Sequence, residues 1–408
     1  MQAVILAAGE SSRFWPLNKK HKSLFKIMSQ PLICYTLENL KKAGIIEIII
    51  VQKQKGDIES ELKQCELPRV RIKYVLQKNP LGTGDALKAA ERHLKERFLV
   101  LNGDDFYETE DIKKCLSKFP AILVKEMVNP KNFGVIVPAK NYVKEIVEKS
   151  EKPPANLVNI GCYFISKTIF EEKIKKSHRG EYEIIDYIRN LNEKTKVYFL
   201  KAQNWFPLSY PWDLLDINEY LLENIKTKIR GKIEKNCHIK PPVVIGRGTV
   251  IKSGTYIEGP VYIGKNCQIG PNCLIRPFSS IDDDCTIGQG VEIKNSIIAI
   301  NSHISHLNYV ADSIIGENCN LGAGTILANL RFDEKNIRSA VKGELVDTQR
   351  RKFGAVLGKG AKTGVNVSIM PGVLIGENSI VGPHSLVRKN VKDNEVFYTK
   401  AQKIINAI

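Results

Sequence analysis

Two periodicities divide the chain. From residue 233 onward, aliphatic side chains recur every six residues: Ile239, Ile245, Ile251, Ile257, Ile263, Ile269, Ile275, Ile281, Ile287 and Ile293 run without a slip. Ile233 precedes them in the same register, and Ile369, Ile375, Val381 and Val387 resume it. Glycine often follows the aliphatic residue, as in Ile245-Gly246, Ile263-Gly264 and Ile287-Gly288. A period of six fits neither a helix nor a plain strand; it fits a short strand plus a turn, stacked as a parallel β-helix. The aliphatic side chain points inward and glycine makes the corner. Three hexapeptides close one coil, so equivalent residues of successive coils stack about 4.8 Å apart. Four positions after the aliphatic stands a small residue (Cys237, Cys267, Cys273, Cys285, Cys319), read as filling of a tight interior. The stretch 328–352 is polar and basic, cannot line such a prism, and is expected to project as a loop.

The first half alternates differently. Residues 2–8 are continuously apolar, as a buried parallel strand is, and run into Gly9-Glu-Ser-Ser-Arg13. A helical pattern over 31–43, a strand over 45–51, a strand over 71–76, a helix over 84–97 and a strand over 98–101 follow. Alternating elements of this length predict a Rossmann-like α/β domain with ligands at the strand carboxyl ends. Residues 212–229 read as a helix joining the halves. The expected division is 1–228 for the α/β domain and 229–408 for a left-handed parallel β-helix.

Composition narrows the function classes. Of 408 residues, 61 are Lys or Arg and 44 are Asp or Glu, a net charge of +17 that calls for anionic partners. No aromatic-interleaved basic stretch or DNA-binding motif accompanies it, so nucleotides, coenzyme A and sugar phosphates are preferred to nucleic acid. No apolar run reaches the roughly 18–20 residues of a membrane span, and the N-terminus has no basic leader. Nine cysteines without a CxxC pair or zinc spacing read as buried thiols of a cytoplasmic protein.

Candidate chemistry collects around the strand ends. Gly9 to Arg13 can turn backbone N–H groups toward phosphates, although it is no GxxxxGK[ST] loop. Lys22 adds charge, Gln77 and Leu81-Gly-Thr-Gly84 offer amide groups to a base, and Asp104 ends an apolar strand where a Mg²⁺ ligand would stand.

Taken together, Leu6-Ala-Ala-Gly-Glu-Ser-Ser-Arg13, Lys22, Gln77, Leu81-Gly-Thr-Gly84, Gly103-Asp104, Asn132-Phe-Gly134, Glu148, Asn159-Ile-Gly161, Gly180-Glu-Tyr-Glu183 and Pro211-Trp-Asp-Leu-Leu215 carry a family likeness. So do Ile275-Arg-Pro277, Glu292-Ile-Lys294, His306-Leu-Asn-Tyr309, Asn320-Leu-Gly-Ala323-Gly324-Thr325 and Asn329. The chain resembles the bifunctional sugar-1-phosphate nucleotidylyltransferase/acetyltransferases over nearly its whole length. The resemblance implies that Leu6, Ala8, Gly9, Glu10, Ser11, Ser12, Arg13 and Lys22 hold the phosphates of UTP or dTTP. Gln77, Gly82 and Thr83 would meet the base, Asp104 the Mg²⁺, and Gly134, Glu148 and Asn159 the sugar phosphate. His306 would be the base that deprotonates glucosamine-1-phosphate as it attacks acetyl-CoA, a task that histidine's ordinary pKa near 6.5 suits. Arg276, Lys294, Tyr309, Asn320 and Asn329 would hold that substrate, and Ala323 and Lys400 the acetyl-CoA. A homotrimer through the β-helix is also implied.

Three departures stand out. Pro207 occupies the place of a second metal-binding Asp, Ser23 follows Lys22 where proline is usual, and Asp85 puts a negative charge beside Gly82-Thr83-Gly84. Pro207 leaves open an acetyltransferase with a weak nucleotidyltransferase domain. A non-catalytic scaffold of the same architecture is the third alternative.

Overall fold

In a computed structural model the chain is described except for residues 54–56, 64, 66, 67, 149, 178 and 400–408. It divides into two units. The first comprises residues 1–11, 20–25 and 31–208; the second comprises 12–19, 26–30 and 209–408.

The first unit is built on one nine-stranded mixed sheet. Four parallel strands lie in the order Arg71–Leu76, Glu47–Gln52, Gln2–Ala7, Arg97–Asn102. Beyond them run Leu157–Ser166, Ala121–Glu126, Tyr198–Lys201, Tyr142–Glu148 and Gly134–Ala139, mostly antiparallel. The central strand Gln2–Ala7 is buried along its full length, which explains its unbroken apolar run. Leu6 pairs with Asn102, Ala7 with Gln52, and Gln52 with Leu76, so the carboxyl ends of all four parallel strands form one edge. Helices Leu32–Lys42 and Thr83–Ala90 cover the sheet through residues such as Leu37, Leu40, Leu87 and Ala90. The second helix is shorter than the pattern predicted: a tight turn over Glu91–His93 ends it before the strand at Arg97.

The second unit contains three parallel sheets of eight, nine and eight short strands, one per face of a left-handed β-helix. Cross-face pairing follows the sixes: Ile245 stacks on Ile263, Ile251 on Ile269, Ile257 on Ile275. These side chains, with Cys267, Cys273, Cys285 and Cys319, form one fully buried column. Thr249 Oγ1 accepts from the Cys267 N–H at 3.0 Å, so the small positions also close buried backbone bonds. The helix expected over 212–229 ends at Glu223, and Lys228–Ile229 is already the first rung.

The run of sixes stops at Ile293 without ending the solenoid. Ile281 stacks on Ile298 and Ile298 on Ile315, while Ile293 stacks on Val310 and Val310 on Leu327. Each of these coils is one residue short, and the deletion falls at a single corner. There Asn295 and Asp312 take positive φ (42° and 49°), which these short polar side chains tolerate. The stretch 328–352 does leave the prism, folding as the antiparallel hairpin Arg338–Val341 and Glu344–Asp347 before rejoining at Ala355–Leu357.

Segment 26–30 is docked on the β-helix by one buried carboxylate. Asp282 accepts from the Ser29 N–H (2.7 Å) and Ser29 Oγ (3.2 Å). Burial lifts this carboxyl from 3.8 to about 7. The folded chain therefore keeps a proton that the unfolded chain has lost, so stability declines as pH rises across that interval and levels off above it. Asp282→Asn keeps an acceptor for Ser29 but cannot ionise. Melting temperature measured from about pH 5 to about pH 8 should fall less steeply in this variant; parallel curves would refute the assignment.

Candidate active sites

The parallel edge gathers the first set of residues. Gly103 donates its N–H to the Leu6 carbonyl at 2.8 Å, and a Cβ there would stand 2.6 Å from Ala7 Cβ, so only glycine lets these strand ends approach. Asp104 follows. Its carboxylate meets Lys22 Nζ at 2.7 Å, and Lys22 Nζ also donates to the Leu208 carbonyl. Burial alone would raise Asp104, but the Lys22 ammonium outweighs it and holds the carboxyl below the usual range. Lys22 is tied to the glycine-rich turn by its own N–H, which donates to Ser11 Oγ (3.2 Å). His21 accepts from the Ser23 N–H through Nδ1 and also bonds Ser23 Oγ, which gives Ser23 its local purpose. Burial brings the His21 imidazole down to about 4, so the ring is neutral.

Leu6 and Ala8 are buried, Gly9 and Glu10 exposed. Ser12 and Arg13 belong by their contacts to the second unit, where the Arg13 guanidinium stands 5.9 Å from the Tyr210 ring centroid. Gln77 follows the strand Arg71–Leu76 and donates through Nε2 to the Gly82 carbonyl (3.1 Å) and to Asp85 (2.7 Å). Thr83 Oγ1 accepts from the Ile184 N–H at 3.0 Å. Position 207 lies in the strand Trp205–Pro207, directly opposite Asp105. Burial and the neighbouring Asp104 charge raise the Asp105 carboxyl to about 7. Among the described residues no third His, Cys, Asp or Glu joins these two carboxylates. A Mg²⁺ ion held by Asp104, phosphate oxygens and water fits that donor set.

The residues expected at the sugar phosphate lie on the strands Gly134–Ala139, Tyr142–Glu148 and Leu157–Ser166. Gly134 pairs with Glu148, and a Cβ on Gly134 would stand 2.6 Å from Glu148 Oε2 and 3.8 Å from Asn159 Cβ. Glu148 lines a cleft of about 900 Å³ that Arg179 also lines. Arg179 lies 3.8 Å from Glu148 and 2.6 Å from Glu183. Sequence reasoning passed over Arg179, although it abuts the quoted Gly180-Glu-Tyr-Glu183 run.

The second unit holds another cluster at the shortened corner. Asn295, Asp312 and Asn329 stack there, and Asp312 accepts from Asn295 Nδ2 (2.8 Å) and Asn329 Nδ2 (2.5 Å). Lys294 Nζ is 4.0 Å from the same buried carboxylate, and Arg276 bonds Glu292 at 3.0 Å. Tyr309 pairs with Glu292 across the rungs. Burial first, then the neighbouring Lys352 and Arg276 charges, hold Lys294 below the usual lysine range despite Asp312. Lys352 was not a sequence candidate. The returning strand of the projecting loop places it: Phe353 donates its N–H to the Asn329 carbonyl (3.0 Å) and Gly354 to the Asp312 carbonyl (2.8 Å). Lys294 thus faces Asp312, Arg276 faces Glu292, and Lys352 and Arg276 add their charges beside Lys294, a group of three cations suited to a phosphate monoester.

His306 ends the strand His303–His306, opposite Gln289. Its ring is exposed and makes no hydrogen bond or ion pair among the described residues, so both nitrogens remain available. The Gly324 N–H donates to the His306 carbonyl at 3.0 Å, which stacks the Ala323-Gly324 corner against the His306 turn. Asn320 pairs with His303 on the neighbouring rung. Lys400, the expected second acetyl-CoA contact, lies outside the described residues.

Comparison with known proteins adds lineage to this geometry. Residues 2–224 match the family model described as nucleotidyl transferase, 257–362 the GMPPB C-terminal domain, and 354–389 the bacterial transferase hexapeptide repeats. The chain is 40% identical over 413 residues to the bifunctional protein GlmU of Methanocaldococcus jannaschii, covering all of both. It is 40% identical over 408 residues to a bifunctional sugar-1-phosphate nucleotidylyltransferase/acetyltransferase of Sulfurisphaera tokodaii, covering 97% of this chain and all of that one. Among solved structures, a putative glucose-1-phosphate thymidylyltransferase of Bacillus anthracis matches with TM-score 0.50 at 24% identity, over 56% of this chain and 97% of its own; this likeness concerns the fold.

Lys294→Met and Lys352→Met should each weaken phosphate-monoester binding about tenfold, equivalent to about 1.5 kcal/mol for one charged hydrogen bond. Calorimetric titration checks this; unchanged affinity in the Lys352 variant would remove it from the cluster.

Proposed function

The chain belongs to the family of bifunctional sugar-1-phosphate nucleotidylyltransferases/acetyltransferases, and from that premise we propose which substrates it joins and which residues do so. It is a transferase of both kinds. The second unit acetylates glucosamine-1-phosphate with acetyl-CoA, and the first transfers UMP from UTP to the resulting N-acetylglucosamine-1-phosphate. One observation carries this reading: each unit sets lysine on a carboxylate, Lys22 on Asp104 and Lys294 on Asp312, as two phosphate-bearing substrates require.

In acetyl transfer, Arg276, Lys294 and Lys352 hold the phosphate while Tyr309, Asn320 and Asn329 orient the sugar. The unspent His306 imidazole takes the proton from the amine as its nitrogen attacks the thioester carbonyl. A C–N bond forms, the C–S bond breaks, and the imidazolium returns its proton to the departing coenzyme A thiolate; Ala323 and Lys400 are the residues assigned to acetyl-CoA. In nucleotidyl transfer, Gly134, Glu148 and Asn159 present the sugar-phosphate oxygen to the α-phosphorus in line with the departing pyrophosphate. The new P–O bond forms as the α–β bridging bond breaks. Arg13 and Lys22 bear the charge that develops on the leaving group, and the turn at Gly9 to Ser12 offers backbone N–H groups to the phosphates. Asp104 would hold Mg²⁺, which would supply further charge neutralisation at the phosphates.

The hexapeptide prism supports association of three chains, and light scattering should return three per particle. The fold contains no helix long and apolar enough to cross a membrane among its described residues. The cytoplasm, where these substrates are made and used, is the compartment we assign.

A second reading rests on Pro207, whose side chain offers no oxygen to a metal. Mg²⁺-dependent pyrophosphate release from UTP plus N-acetylglucosamine-1-phosphate separates the two. His306→Ala should lower acetyl transfer at least about 100-fold and spare pyrophosphate release. Asp104→Ala should do the reverse. Unchanged activity in either variant removes that residue from its role. Coenzyme A release without any pyrophosphate release from UTP or dTTP makes the chain an acetyltransferase with a silent first unit.

A further inference from the structure

Gln77 is a side-chain amide with two N–H donors and one acceptor oxygen. It is buried, and its backbone N–H is fixed to the Gln52 carbonyl at 2.9 Å. Both groups facing its Nε2 are acceptors: the Gly82 carbonyl at 3.1 Å and the Asp85 carboxylate at 2.7 Å. An oxygen turned toward two oxygens would repel both, so the orientation of the amide is forced rather than arbitrary. Both donors are therefore consumed inside the protein, and Oε1 accepts nothing among the described residues.

The lock is itself held firmly. Asp85 lies in the first turn of the helix Thr83–Ala90, where the free N–H groups favour its negative charge. Gly82 has φ of 102°, and a Cβ there would stand 2.5 Å from the Tyr182 carbonyl oxygen. That turn is stitched to the next segment by Gly84 N–H to the Tyr182 carbonyl (2.7 Å) and Tyr182 N–H to the Leu81 carbonyl (2.7 Å). Neither partner of Nε2 is free to move away.

We propose that Asp85 is a specificity-determining positioning residue: it makes Gln77 an acceptor only, so that the site selects a pyrimidine bearing a ring N–H over one bearing a ring lone pair. Uracil and thymine carry a hydrogen on N3; cytosine carries a lone pair there, which would face Oε1 without a hydrogen between them. The inference rests on the reading above that Gln77 meets the base. Without Asp85 the amide can turn over and offer N–H to cytosine. The negative charge beside Gly82-Thr83-Gly84 is then a selector working through Gln77, with no contact of its own to the nucleotide.

The test titrates UTP and CTP calorimetrically into the full-length protein, beside turnover with each, in wild type, Asp85→Asn, Asp85→Ala and Gln77→Ala. Wild type should prefer UTP at least about 100-fold, as expected of a site built around one buried hydrogen bond. Both Asp85 variants should narrow that ratio at least about tenfold, by weakening UTP more than CTP, while acetyl transfer stays at the wild-type rate and reports intact folding. A ratio unmoved in both, with Gln77→Ala still weakening UTP, overturns the role of Asp85 and leaves Gln77 at the base. UTP affinity unchanged in Gln77→Ala overturns the underlying placement and the inference with it.

Discussion

The second unit depends on one demand: every coil must return three aliphatic side chains to a single dry interior. Where three full hexapeptides meet it, as from Ile245 through Ile263 to Ile281, the interior column repeats without a shift. Where two turns lose a residue, the interior column continues through Ile298, Val310 and Ile315. Asn295, Asp312 and Asn329 are brought into stacked register by that shortening alone. A buried carboxylate clamped by two amides is expensive unless a cation faces it, and Lys294 does at 4.0 Å, with Arg276 and Lys352 near Lys294 in turn. This cluster of amides, carboxylate and lysine is thus a consequence of how the repeat was shortened.

The first unit meets a different constraint with a comparable result. Four parallel strands end in register, so whatever follows each strand lies at one edge. Ala8 and Gly9, Gln77 and Asp104 come from three strands and from sequence separations of tens of residues. The glycines at 82, 103 and 161 allow backbone to approach where a Cβ would collide with Tyr182, Ala7 and Asn102. Electrostatics then sorts adjacent carboxylates: Lys22 keeps Asp104 ionised, while Asp105, deprived of its own cation, is pushed up. Two neighbouring aspartates thereby acquire distinct characters, as burial and unequal partners require.

In both units the protein holds an internal ion pair at the residues proposed to meet substrate phosphate, Lys22 with Asp104 and Lys294 with Asp312. Lys22 and Lys294 are alike in this respect although one stands beside a strand end and the other on a solenoid rung.

Much of this was legible in the chain itself. The ten sixes ending at Ile293 determined a β-helix, because no other structure needs an inward side chain every sixth residue. The apolar run at residues 2–8 followed by Gly9 determined a buried parallel strand and the turn that leaves it. The family motifs brought Lys22, Asp104, Lys294 and His306 forward as single residues. What they could not convey was who faces whom. Pairing across the sheet, not spacing, puts Pro207 opposite Asp105 and Glu148 on Gly134. The silent change from six to five residues at one corner, invisible as a motif, stacks Asn295 on Asp312. The return of the projecting loop brings Lys352 to Lys294 from a stretch that looked merely basic. Asp85 looked like a misplaced charge until its oxygen was found to hold Gln77. Sequence determined which side chains point inward, because burial is periodic and local; tertiary structure decided their partners, because hydrogen bonds and charges act between residues that the chain alone leaves far apart.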